Sequence, residues 1–149
     1  MRFFGISISK TILCILILIS STAMGQHFEE HRWKNRIILV FNSTLEIEMF
    51  EMQISELKRY EEGLKERKLL IYQIKPDTYN IGLDEKDHWQ SGVALYETFN
   101  PKQKAFKIIL IGLDGSIKLE QTQFLSAQKL FSIIDAMPMR RAELKEKGN

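Results

Sequence analysis

Cysteine is almost missing from this chain: Cys14 is the single one in 149 residues. It lies in an amino-terminal stretch, Met1–Gly25, that reads as a secretory signal. Arg2 and Lys10 supply the positive start and Thr11–Ile19 an apolar run, while Ala23-Met24-Gly25 sets small residues where a signal peptidase inspects them. The run is shorter than the ~20 residues that cross a bilayer, so cleavage ranks ahead of a permanent anchor. The expectation is removal of residues 1–25 after Gly25 and export to the periplasm or beyond the cell. Membrane contact would then come only from an uncleaved signal. Residues 26–149 contain no cysteine, which excludes disulfides, thiolate catalysis and cysteine-held metals for that stretch.

Net charge is also scarce. The chain has 21 basic and 19 acidic residues, and Arg2 and Lys10 belong to the signal, so the remainder is balanced. A neutral domain has no general attraction to nucleic acid or to an anionic membrane surface, and nucleic acid is not an expected partner. With three prolines, eight glycines and nine phenylalanines, the composition suits an ordered α/β domain rather than a linker. There is no internal repeat. Residues 26–142 read as one domain, with 143–149 as a polar tail.

Ile37–Phe41 is a continuous apolar, β-branched run, as expected of a strand buried on both faces. Asn42-Ser43-Thr44 stops it, and Ser43 with Glu46 has the spacing of a capping box. A long helix to about Arg67 should follow, since Ile47, Phe50, Ile54, Leu57 and Leu64 form one apolar stripe. Leu69–Ile74 is a second strand, making a right-handed parallel crossover. Asp77–Gly92 is polar and irregular and reads as a surface loop. Val93–Phe99 reads as a short helix, Phe106–Ile111 as a third strand and Ile117–Gln121 as a fourth, joined by a two-residue turn at Asp114-Gly115. Ser126–Ala136 is a last amphipathic helix, ended by Pro138. This order is that of a minimal thioredoxin-like domain: an α/β three-layer sandwich with a mixed four-stranded sheet, order 2-1-3-4, and flanking helices.

Two stretches sharpen the reading. His31-Arg32-Trp33-Lys34-Asn35-Arg36-Ile37-Ile38-Leu39-Val40-Phe41 and Ile134-Asp135-Ala136-Met137-Pro138-Met139-Arg140-Arg141-Ala142-Glu143 resemble the two ends of the bacterial domain of unknown function 4174 family. That family is similar to extracellular domains of vertebrate matrix proteins of the sushi-repeat and equarin type. With Ile108–Lys118 between them, the resemblance covers nearly all of residues 26–149. It implies a thioredoxin-like fold and no established activity.

In a redox thioredoxin fold the reactive thiols follow the first strand, at the positive end of the next helix. Here that place is Asn42-Ser43-Thr44-Leu45. Ser43 reads as a helix cap, and as a nucleophile it would need a base, with no histidine predictably close. Phe106 begins the third strand where redox members carry a cis-proline, and Pro101 comes too early. Thiol oxidoreductase and cysteine peroxidase chemistry are therefore disfavoured, and no catalytic residue or cofactor is assigned.

His27 and His31, with Glu30, have a helical metal spacing but read as a frayed terminus. Asp84, Glu85, Asp87 and His88 lack the alternation of a calcium loop and read as solvated charges. No metal site is assigned. Asp114 reads as a turn residue. The arginines offer more. The expected topology brings Arg32, Lys34 and Arg36 to the pole where Arg140 and Arg141 lie, opposite the redox edge. Such a basic pole would hold an acidic protein or a small anion. The structural alternative is neutralisation by Glu29, Glu30, Glu143 or helix-ending carbonyls. Trp33 is expected as a lid over the sheet's edge, and Met137 and Met139 as closing the core. The function expected is a non-catalytic exported binding or assembly module. The alternative is a thioredoxin-fold oxidoreductase or peroxide-handling protein working through a partner or cofactor.

Overall fold

The computed structural model describes residues 26–43, 45–84 and 88–148. The expectations for Met1–Gly25, Cys14 included, for Thr44, Glu85 and Asp87, and for the side chain of His27 lie outside what is described. The fold is carried by a unit that starts at His31. The described residues before it, 26–30, belong to a separate unit and lie in the 3₁₀ helix Gln26–His31.

Strand β1 (Arg36–Asn42) is buried along its whole length, as the uninterrupted apolar run requires. Helix α1 (Ile47–Arg59) leads to a short α2 (Glu61–Glu66), and β2 (Leu69–Ile74) returns parallel to β1, with Arg36 beside Leu69. Strands β3 (Thr78–Ile81) and β4 (Gln90–Ser91) precede helix α3 (Val93–Phe99). Strand β5 (Phe106–Ile111) runs antiparallel to β1, and β6 (Ile117–Gln121) antiparallel to β5. Helices α4 (Ala127–Asp135) and α5 (Pro138–Lys147) complete the described chain.

The sheet order is β4-β3-β2-β1-β5-β6. The run β2-β1-β5-β6 reproduces the expected order 2-1-3-4, but among the described residues there are six strands, not four. The extra pair comes from the stretch read as a loop. Its strands are too short and polar for hydrophobic alternation to reveal them, because main-chain pairing makes them, β3 on the open edge of β2 and β4 on β3.

Alternate residues of β1 serve two layers. Ile38 and Val40 join a cluster with Ile54 and Leu57 of α1, Leu64 of α2 and Leu130 and Ile134 of α4. Phe41 turns to the opposite face, edge-on to Tyr96 of α3 at 5.9 Å between ring centroids. Arg36 and Asn42 share the parity of Ile38 and Val40, so they mark the two ends of one face. Six residues of strand separate them by about 20 Å.

Four local expectations are corrected. The capping box does not form: α1 starts at Ile47 without a side-chain cap, and Ser43 Oγ accepts from the amide of Leu45 at 3.3 Å instead. The single long helix is interrupted at Tyr60, whose ring meets Phe131 edge-on. Gly63 then lets α2 lie against Phe131, where a Cβ would fall 2.7 Å from the ring. The hairpin loop spans 112–116 rather than two residues, with Gly115 at φ +80°. Helix α4 ends ahead of Pro138 as expected, but it is not the last helix: Pro138 opens α5 in its first turn, so residues 143–147 are helical rather than a tail.

Candidate functional site

Of the expected basic pole, Arg36 and Arg140 meet through a shared Glu143 and are engaged inside the fold. Arg36 enters from the start of β1, Arg67 from the turn between α2 and β2, and Arg140 from the first turn of α5. Arg36 and Arg140 are both fully buried. Arg140 reaches Asp135 through Nε (3.2 Å), Glu143 and the Glu66 carbonyl through Nη1 (3.4 and 3.2 Å), and the Glu66 carboxylate through Nη2. Arg67 grips Asp135 with a two-pronged contact, Nε at 3.0 Å and Nη2 at 2.6 Å, while its Nη1 donates to the Gly63 carbonyl. Such paired geometry is the strong form of an ion pair. The Met-Pro-Met-Arg-Arg stretch therefore works first as a latch, through Arg140, tying α5 to α2 and α4.

Arg36 differs from its neighbours. Only Nη1 is engaged, donating to the Arg67 carbonyl at 2.9 Å and facing Glu143 at 3.3 Å. Its Nε and Nη2 are buried and find no hydrogen-bond partner among the described residues. A cleft of about 260 Å³ opens over this side chain, lined by Leu113, Asp114, Lys118, Met137, Pro138 and Met139 as well.

Of the remaining expected residues, Arg32, Lys34 and Arg141 are exposed. Arg32 lies against the hairpin turn at Gly115 and 5.7 Å from the Trp33 ring centre. Trp33 is no lid. It is 58% exposed with φ +64°, its amide tied to the Leu113 carbonyl at 2.7 Å, and a left-handed backbone carries the indole into solvent. Met137 contacts the core, as expected, whereas Met139 is exposed. The acidic partners Glu66 and Asp135 and the cation Arg67 were missed. The signal was available: parallel pairing of Arg36 with Leu69 necessarily brings residues 66–68 alongside it.

Electrostatics follow the contacts. Hydrogen bonding from Arg140 holds the Glu66 carboxyl below its ordinary value. Burial alone would raise Asp135, but hydrogen bonds from Arg67 and Arg140 outweigh it and the net shift is downward. At the cleft rim, the bond from Lys118 dominates over burial and, with Ser116, lowers Asp114 to about 2. Carboxyls lowered in this way stabilise the fold fully above their ordinary values, 3.8 for aspartate and 4.5 for glutamate, and lose that contribution as pH falls through the folded values. Stability is therefore expected to decline as pH drops from about 5 to about 2. Asp135→Asn should flatten this acid limb in thermal melts, and an unchanged limb would dismiss the network as its source.

At the other end of the same sheet face, a cleft of about 290 Å³ is lined by Asn42, Ser43, Ile47, Phe50, Glu51, Lys75 and Pro76. Register sets Phe106 beside Asn42. This is the place of the thiols in a redox domain, and it offers an amide and a hydroxyl. None of its lining residues is a histidine, the commonest base for a serine nucleophile. The His31 ring is hydrogen-bonded to the Tyr72 hydroxyl at 2.7 Å. Among the described residues no three of His, Cys, Asp and Glu gather as a metal set, and no helix is long and apolar enough to cross a membrane.

Sheet order, parallel crossover and terminal hairpin define a thioredoxin-like α/β domain with two clefts at opposite ends of one sheet face. A solved structure, the mitochondrial 2-Cys peroxiredoxin from Plasmodium falciparum, is similar with a TM-score of 0.51 and 10% identity, covering 80% of this chain and 83% of that one. At that identity the likeness speaks to fold alone. The model of the Domain of unknown function (DUF4174) matches residues 27–143, and the chain belongs to that family. No curated protein matches it.

Proposed function

We propose that this chain is an exported, non-catalytic recognition module built on a thioredoxin-like scaffold, taking an acidic partner or a small anion at the pole around Arg36. One observation carries the reading. The end of β1 that holds the nucleophile in redox domains of this fold presents Asn42 and Ser43, while the opposite end keeps a buried cation with unused donors beneath a cleft. Arg140 belongs to the scaffold of that pole, and Arg32, Lys34 and Arg141 form its exposed basic surroundings. The resemblance to a peroxiredoxin supplies the scaffold, whereas residues 26–149 lack the sulfur that such chemistry requires.

The purified protein is expected to reduce insulin disulfides and consume hydrogen peroxide no faster than buffer. Turnover that survives Cys14→Ser would defeat the non-catalytic reading. Export is checked by the mass of the protein recovered from its native cell, which should begin at Gln26.

A further inference from the structure

We propose that the cleft over Arg36 is a binding site for a carboxylate carried on a small apolar body. This rests on the recognition reading and names the ligand it implies. The side chain is fully buried, yet Nε and Nη2, the two donors along one edge of the planar guanidinium, have no partner among the described residues. Those parallel N–H groups match the two oxygens of a carboxylate. Arg140, equally buried a few ångströms away, has all three nitrogens engaged, and so has Arg67. Of these three arginines, Arg36 is the one with an unpaired edge.

Charge balance agrees with this. Arg36, Arg67, Arg140 and Lys68 face Glu66, Asp135 and Glu143, leaving the cluster one negative charge short. Asp114, on the cleft wall, does not fill the gap, because its oxygens are held by Lys118 at 2.8 Å and by Ser116. Paired with Lys118, it also presents little net charge to an incoming anion.

The walls set the rest of the ligand. Leu113, Met137, Pro138 and Met139 present apolar side chains, and Lys118, the other cation of the lining, is paired with Asp114. The two methionine side chains can adjust to a branched aliphatic group. A volume near 260 Å³ falls below the ~300–1,000 Å³ of larger ligand sites, which suits a short acid or the last residue of a polypeptide.

The test is an NMR titration of the purified protein with 4-methylpentanoate, N-acetyl-leucine, N-acetyl-leucinamide and inorganic phosphate, following backbone amides and arginine Nε–H signals. Both acids should shift Leu113, Asp114, Met139 and the Arg36 Nε–H, with the neutral amide and phosphate at least about tenfold weaker. Tighter binding of N-acetyl-leucine marks a polypeptide C-terminus as the source, and tighter binding of 4-methylpentanoate marks a free acid. Arg36→Lys keeps the charge but loses the paired edge, and should weaken the acids about tenfold or more. Because residue 36 is buried, Met139→Glu at the exposed wall is made in parallel. It should weaken them similarly while leaving the melting temperature unchanged. No shift at about 10 mM acid, or equal responses to acid and amide, overturns the proposal. With the turnover assays still negative, that result leaves a recognition module acting elsewhere. Turnover alongside specific acid binding instead removes the non-catalytic reading and keeps the site.

Discussion

Replacing Arg140 by methionine should lower the free energy of unfolding by about 3 kcal/mol, the low end for removing one partner of a buried ion cluster. Methionine fills much of the volume, so the loss reports contacts rather than a cavity. Arg140 joins α5 to Asp135 at the end of α4 and to Glu66 of α2, and holds Glu143 one turn along its own helix. Its partners are partly exposed and recover some hydration, which keeps the loss from being larger. Arg36→Met should cost distinctly less. Its single engaged nitrogen gives up a carbonyl and a shared carboxylate, and two unpaired buried donors disappear with it. Urea midpoints at constant slope measure both. Equal losses would show that Arg36 is as fully satisfied as Arg140, and would weaken the case for a ligand.

Gln53→Leu should be comparably damaging, at about 3 kcal/mol, although the shapes are similar and leucine is the more apolar. Gln53 is wholly buried, and its amide mimics a strand partner for Leu125: Nε2 donates to the Leu125 carbonyl at 2.9 Å, and Oε1 accepts from its amide at 2.8 Å. Leucine would leave two main-chain groups buried and unpaired, each costing about 1–3 kcal/mol. Loss of protection of the Leu125 amide in hydrogen exchange would localise the effect. A neutral substitution would mean that residues 122–126 find other partners.

The elements with strong periodicity were legible from residues alone. Ile37–Phe41, Leu69–Ile74 and Phe106–Ile111 announce themselves by apolar β-branched runs, and Ser126 caps α4 through the Lys129 amide at 3.3 Å. The capping box at Ser43–Glu46 was a spacing without its geometry, since Ser43 bonds Leu45 before the helix begins. Strands β3 and β4 were invisible because an edge strand needs only main-chain groups to pair. Trp33 misled because an indole is usually worth burying, and a positive φ two residues upstream of Asn35 cannot be read from composition.

The chain's own order of residues determined the sheet's central strands, the crossover between them, the lack of any thiol beyond Cys14 and the meeting of Arg36 with Arg140, because hydrophobic period and chain connectivity are local properties. Folding in three dimensions alone decided which cations are neutralised. Glu66, Asp135 and Glu143 reach Arg140 from three separate segments, and leave one edge of Arg36 unpaired. The pairs of Arg140 with Glu66 and of Arg36 with Glu143 depend on distances of a few ångströms between groups 74 and 107 residues apart, and no pattern along the chain encodes those.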